Sequence, residues 1–136
     1  MKLSRKTIYA IMLLVAVAKK GDSGNITIKE VAEKEGISVK YLEQIGSALC
    51  KAGFIKSRRG PEGGYHLARP AKKYSLGEII RLMEGEISTD YIENINSLSV
   101  FWDGLFRTLN GYLDNTTIYD LIEHEKALEG VYDYCI

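Results

Sequence analysis

The stretch that most restricts how this chain can fold runs from Thr27 to Arg69, TIKEVAEKEGISVKYLEQIGSALCKAGFIKSRRGPEGGYHLAR. Thr27 and Glu30 stand at T-x-x-E spacing, the capping box in which each side chain satisfies the other residue's free backbone N–H. Val31 and Ala32 are predicted to face inward. Gly36 permits the left-handed turn that stops the helix, and Ile37 packs the corner. Ser38 then caps a second helix whose apolar positions Val39, Leu42, Ile45 and Leu49 recur at three- and four-residue spacing. Gly53 ends it. Two short helices joined in this way predict a helix-turn-helix, whose second helix lies in a DNA major groove.

The residues that follow extend the motif. Phe54-Ile55-Lys56-Ser57 and Tyr65-His66-Leu67 are β-prone runs, and the segment between them, Arg58-Arg59-Gly60-Pro61-Glu62-Gly63-Gly64, is a turn with three glycines and a proline. Ile26 and Thr27 are expected to pair as a short third strand. Arg58 and Arg59 make the hairpin tip cationic, suited to a narrow minor groove or to phosphates. The expected fold is mainly α with a small β-wing: a winged helix-turn-helix domain plus a long dimerisation helix.

A formal net charge of zero would argue against a nucleic-acid partner, but its distribution reverses that inference. Residues 1–70 carry 13 Lys and Arg against 6 Asp and Glu, a net +7, and residues 71–136 carry 5 against 12, a net −7. A basic half joined to an acidic half suggests a DNA-binding module with an appended module of another kind. The acidic half also limits indiscriminate adhesion to DNA, which is mostly phosphate electrostatics.

Along the chain, Met1 to Lys20 is expected to form a first helix, with Ser4 near its start, Gly21 after its end, and Ile8, Ile11, Met12, Val15 and Ala18 on its buried face. Its apolar run from Ile8 to Ala18 is too short for a bilayer, which takes about 20 residues, so a buried helix and a cytoplasmic protein without a signal peptide are expected. Ser75 and Glu78 form a second capping box, opening a core helix through Ile79, Ile80, Leu82 and Met83 that ends near Gly85. Residues 1–85 are assigned to the winged-helix DNA-binding domain and 86–97 to a polar connector. Residues 98–127 are assigned to a dimerisation helix and a short terminal helix, Ile118 to Ala127, capped by Thr117 with Asp120; residues 128–136 form a C-terminal tail.

The dimerisation helix carries Leu98, Phe101, Trp102, Leu105, Phe106, Leu109, Tyr112 and Leu113, a wide apolar stripe that a small monomer covers poorly. It either pairs with a second copy or folds back on its own domain. Pairing suits DNA reading, because two recognition helices then meet half-sites about 34–36 Å apart. The recognition helix leaves Ser38, Lys40, Tyr41, Glu43, Gln44 and Ser47 for its outer face. Gln44 suits adenine, Lys40 guanine or phosphate, and Tyr41 a phosphate or thymine methyl. Lys2, Ser4 and Tyr9 are candidates for the phosphate backbone, or the lysine is simply solvated. Thr27, Gly60, Gly63 and Tyr65 complete the candidate DNA-contacting set with the two wing arginines.

Several segments together resemble a known family. They are Met1-Lys2-Leu3-Ser4, Lys40-Tyr41-Leu42-Glu43-Gln44, Ala52-Gly53-Phe54-Ile55-Lys56-Ser57, the wing from Arg59 through Gly63-Gly64-Tyr65-His66-Leu67-Ala68 to Arg69, and Gly77-Glu78-Ile79-Ile80-Arg81 with Glu84-Gly85. They are similar to the bacterial winged-helix regulators that include the iron–sulfur cluster regulator IscR. The resemblance runs continuously over roughly residues 1–85 and implies a dimer paired through the long helix. Cluster-binding members carry three cysteines in and just after the connector; here Glu86 to Ser97 and the helix beyond hold none. Clusters are held mostly by thiolates, so no iron–sulfur cluster, and no other cofactor, is expected. The second half, with Asp114 to Leu121 and the tail Tyr132-Asp133-Tyr134-Cys135-Ile136, resembles the cluster-free branch of cysteine-metabolism repressors. That resemblance implies cysteine synthase as a partner, with Tyr134 and Ile136 docking through the terminal carboxylate in a substrate-like pocket. The alternative is that the tail packs on its own dimer.

Other classes leave weaker traces. His66 and His124 are far apart and lack an E-x-x-H or C-x-x-C neighbour, so neither a metal site nor an enzyme is expected. The wing glycines are not followed by Gly-Lys-Ser/Thr, which argues against a phosphate cradle. Cys135 could serve a thiol redox switch, whereas Cys50 reads as a small buried hydrophobe. An interaction adaptor that does not bind DNA is the third alternative, separable by the salt dependence of DNA affinity.

Overall fold

The computed structural model describes residues 2–21, 24–61, 63–88 and 97–134, with side chains described as far as Gly130. Helix α1, Arg5–Lys20, opens at Ser4, whose hydroxyl accepts the Thr7 N–H at 3.2 Å. The helix is apolar on nearly every side, so its neighbours decide which side is buried. They bury Thr7, Ala10, Leu13, Leu14 and Val17. The expected face of Ile8, Ile11, Met12, Val15 and Ala18 is corrected: Ile8 is 44% exposed and the others are half-buried. Two rival series at helical spacing share this helix, and the leucine pair faces the elements that close around it.

Helix α2, Ile28–Glu35, begins with the expected capping box. The Glu30 N–H donates to Thr27 Oγ1 at 3.1 Å, and the Thr27 N–H donates to Glu30 Oε2 at 2.6 Å. These bonds from Thr27 hold the Glu30 carboxyl below the usual carboxylate range. Gly36 takes φ +67°, the left-handed turn, and the Ile37 N–H closes onto the Ala32 carbonyl at 3.0 Å. Helix α3, Val39–Lys51, is capped by Ser38 and buries Leu42, Ile45 and Leu49 completely. Val39 is a correction: it is the first residue of the helix, ahead of the turns that pack, and stays 39% exposed.

Strands β1, Ile55–Arg58, and β2, Gly64–Leu67, pair antiparallel with Ile55 opposite Leu67 and Arg58 opposite Gly64. Ile26 bridges to Tyr65 through two backbone bonds of 3.2 and 2.8 Å, the strand-like contact expected there. Phe54 is a buried residue before the strand rather than its first member.

A 3-10 turn, Ala71–Lys73, leads to Tyr74, the largest fully buried side chain. Its hydroxyl donates to the Phe54 carbonyl at 2.5 Å and accepts the Arg69 N–H at 3.0 Å, joining both feet of the hairpin. The Arg69 guanidinium lies 4.4 Å from the centre of the Tyr74 ring and reaches Glu78 at 3.0 Å. Helix α4, Leu76–Glu84, carries the Ser75–Glu78 capping box and buries Gly77, Ile79 and Ile80. Leu82 turns outward at 42% exposure, contrary to its expected core role, because Ile79 and Ile80 already face the interior.

Helix α5, Ser99–Asn115, turns at Thr116 into helix α6, Ile118–Tyr134. Thr117 and Asp120 exchange bonds of 2.8 and 3.2 Å in a third capping box. Helix α6 runs past the expected end at Ala127 into the segment read as a tail. Its first turns bury Ile118 and Ile122 in the same core as α1 and α3. The corner is pinned to the winged unit by Leu76 N–H to the Thr116 carbonyl, 2.8 Å, and Ile118 N–H to the Tyr74 carbonyl, 3.0 Å.

Tyr74→Phe removes the hydroxyl that joins the hairpin feet and leaves the buried Phe54 carbonyl with the Ala68 N–H, at 3.1 Å, as its remaining partner. Urea unfolding is expected to show a loss of about 1–3 kcal/mol, and a variant as stable as the parent would show that the two bonds contribute nothing net.

Candidate nucleic-acid interface

The outer side of α3 is polar and open. Ser38, Lys40, Glu43, Gln44 and Ser47 are exposed, and Tyr41 is half-buried with its ring edge-on to Tyr9 of α1, 5.8 Å between centres at 78°. The pair joins two of the expected contact residues across the junction of α1 and α3. Burial of Leu42, Ile45 and Leu49 on the opposite side fixes this presentation.

The wing is held by close backbone approach. A Cβ on Gly63 would stand 2.6 Å from the Arg58 carbonyl oxygen, and one on Gly64, at φ +139°, 2.6 Å from the Ile26 carbonyl oxygen. Only glycine fits either position, which accounts for the paired glycines. Arg58, Arg59 and Gly60 are exposed at the tip. Arg58, Gly63 and Thr27 meet Lys20 and Asn25 around an open polar recess of about 460 Å³ between the wing and the start of α2.

Tyr65 joins the wing to the recognition helix. Its hydroxyl reaches within 3.5 Å of the place a Cβ would occupy on Gly46 of α3, and burial pushes its phenol pKa up. Among the expected contacts, Ser4, Thr27 and Ser38 are helix N-caps whose hydroxyls accept from Thr7, Glu30 and Tyr41 N–H groups.

Lys2 is exposed beside Ser4, and here the structure adds a residue that sequence reasoning passed over. Glu84 Oε1 accepts the Ser4 N–H at 2.7 Å and the hydroxyl of fully buried Thr7 at 2.5 Å. The Thr7 hydroxyl, then Ser4, hold the Glu84 carboxyl below the usual range. A carboxylate at the last residue of α4 faces an unfavourable helix dipole. At the start of α1 the dipole favours it, and that mismatch was the available signal.

The stripe on α5 divides. Leu98, Phe101, Leu105 and Tyr112 are exposed, Phe101 at 60% and Tyr112 at 67%, while Trp102, Phe106 and Leu109 are half-buried and Leu113 is buried. One side therefore packs on the helix's own domain, as the second expectation had it, and the other lies open. Cys50 is half-buried, and desolvation pushes its thiol pKa up. The side chain of Tyr134, with Cys135 and Ile136, lies outside the described residues. Among the described residues no helix is long and apolar enough to cross a membrane.

Comparison with known proteins agrees with this arrangement. The Rrf2 family, described as iron-dependent transcriptional regulators, matches residues 3–124. The HTH-type transcriptional regulator IscR of Cronobacter sakazakii is 31% identical over 137 residues, covering 95% of this chain and 85% of that protein. CymR of Bacillus subtilis, the global cysteine regulator of that organism, superposes with a TM-score of 0.84 at 33% identity, covering 91% of this chain and 98% of that one. Staphylococcus aureus CymR in its oxidized form superposes with a TM-score of 0.77 at 40% identity, covering 90% and 97%. With a mostly helical winged-helix fold, an open recognition helix and a cationic wing, the chain belongs to the Rrf2 family and is a DNA-binding transcriptional regulator, not an enzyme.

Proposed function

We propose that two copies pair through the open side of α5 and read an operator with α3 and the wing, repressing genes of cysteine and sulfur metabolism. The observation that carries the reading is the pairing of an exposed apolar side, Leu98, Phe101, Leu105 and Tyr112, with a separate polar and cationic face. On that face Lys40, Tyr41 and Gln44 contact base edges or phosphates and Arg58 and Arg59 enter a groove. Lys2, Ser4, Tyr9, Thr27 and Ser38 lie along the phosphate backbone, and Gly60, Gly63 and Tyr65 shape the wing. Likeness to CymR, a cysteine regulator in B. subtilis, supports the gene class.

The regulator works without an iron–sulfur cluster, since clusters are held mostly by thiolates and neither residues 86–97 nor α5 contains a cysteine. Cysteine synthase in the cytoplasm is the proposed partner, engaging Tyr134 and Ile136; beyond Ile122, α6 is largely exposed up to Gly130. Thiol sensing at Cys50 is disfavoured by the raised pKa, which keeps little thiolate.

The DNA reading is tested on a duplex selected from the host genome, by fluorescence anisotropy across a salt series. Affinity is expected to fall steeply with salt, and Arg59→Ala to cost about 1–3 kcal/mol. Affinity independent of salt would instead favour the adaptor role, and an unchanged Arg59→Ala would remove the wing tip from the interface. In analytical ultracentrifugation the parent is expected to sediment as a dimer and Phe101→Glu as a monomer; a dimeric variant would place the seam elsewhere. Deleting Ile136 should abolish co-purification of cysteine synthase while leaving the dimer intact, and persistent co-purification would discard docking through the tail.

A further inference from the structure

Helices α1, α2, α3, α4 and α6 all start at a hydroxyl cap, Ser4, Thr27, Ser38, Ser75 and Thr117. In α2, α4 and α6 the cap residue's own N–H donates to an acid three positions on, Glu30, Glu78 and Asp120. Helix α1 departs from that plan. Its third position is Thr7, its first turn carries no acid, and Arg5 and Lys6 stand there exposed. The Ser4 N–H donates instead to Glu84, the last residue of α4, whose Oε1 also accepts the Thr7 hydroxyl. The capping acid is thus supplied by another helix.

A basic first turn is unfavourable at a helix N-terminus, where the dipole favours anions. An acid at the third position would satisfy the helix and would also repel phosphate. Glu84 completes the cap and leaves the segment from Lys2 to Lys6 without a carboxylate of its own. That segment adjoins the recognition helix. Arg5 and Lys6 are neighbours of Tyr9 on the surface of α1, four and three positions before it. Tyr9 in turn meets Tyr41 in the first turn of α3, 5.8 Å between ring centres. Helix α3 likewise carries no acid in its first turn. The two hydroxyl-capped helices that lack their own acid are therefore the two that meet at this contact.

We propose that Glu84 is a positioning residue for DNA binding, holding the start of α1 so that Lys2, Arg5 and Lys6 lie along the phosphate backbone. The inference rests on the DNA reading above. Without the carboxylate, the Ser4 N–H loses its acceptor and the Thr7 hydroxyl keeps only the Ser4 hydroxyl, at 3.1 Å. The short arm that carries Lys2, two residues before Ser4, is then no longer fixed to α4. Glu84 itself contacts no phosphate. As an exposed anion beside a basic segment it opposes DNA binding by charge alone. Charge and position thus predict opposite signs for its removal.

Full-length Glu84→Ala and Glu84→Gln are compared with the parent on the selected duplex and on a scrambled duplex of equal length, by fluorescence anisotropy across a salt series. Glu84 is exposed, so both changes leave the core untouched, and circular dichroism is expected to show both variants folded at the binding temperature. Glu84→Ala is expected to bind both duplexes roughly tenfold more weakly, about the loss of one charge-assisted contact. Its salt slope should fall by about one, and the loss should be shared by both duplexes because phosphate contacts carry no sequence. Glu84→Gln, whose amide oxygen still accepts from Ser4 and Thr7, is expected to bind at least as tightly as the parent. Adding Lys2→Ala to Glu84→Ala should cost little more, since the arm is already released. Glu84→Ala binding as tightly as the parent or tighter, an unchanged salt slope, Glu84→Gln as weak as Glu84→Ala, or full additivity with Lys2→Ala would each overturn the positioning role while the DNA reading stands. A parent that binds neither duplex would overturn the DNA reading and this inference with it.

Discussion

The hydroxyl of Tyr74 is the contact on which the rest of the architecture turns. A hairpin of two four-residue strands is marginal by itself. Here one buried phenol holds the Phe54 carbonyl before the first strand and the Arg69 N–H after the second. The same residue's carbonyl takes the Ile118 N–H, so wing, α4 and the terminal helix meet at one position. Arg69 covers the ring and pairs with Glu78, whose carboxylate also caps α4. The wing arginines can be placed at a free tip because the feet of the hairpin are tied.

Local chemistry was the most legible part of the fold. Three capping boxes, Thr27–Glu30, Ser75–Glu78 and Thr117–Asp120, mark helix starts within a few residues, and each formed. What could not be read was the choice between equivalent options. Residues 8–18 are apolar throughout, so periodicity cannot tell Leu13 and Leu14 from Ile11 and Met12; only the neighbours of α1 decide. Leu82 and Val39 fit their helical series and still face out, because spacing describes a helix face and not the extent of its partner. The end of α6 was missed for a related reason: its apolar pattern fades near Ala127, and Gly130, a residue that commonly stops a helix, is here run through to Tyr134.

In the candidate interface the residue types were legible and the double duties were not. Lys40, Gln44 and the wing arginines are exposed as a reader of DNA requires. Ser4, Thr27 and Ser38 have the right chemistry for phosphates, and the same chemistry makes them helix caps, a role sequence spacing shows more directly. Glu84 could not be paired from sequence with residues some eighty positions away. The stripe on α5 read as one surface. It is two, running side by side around the helix: Phe101 and Leu105 open, Trp102 and Phe106 one residue on turned toward the domain.

Helix α5 is not a free arm. Asp114 near its end is paired with Arg81 of α4, Gly77 leaves the room that this pair occupies, and the chain then returns through the Ser75–Thr117 bridge into the core. A rod clamped in this way transmits rotation without a swivel. In the proposed dimer the angular phase of the two heads is then set by the protein rather than by the duplex, so one base pair inserted between half-sites, a twist of about 35°, must be absorbed by the DNA itself.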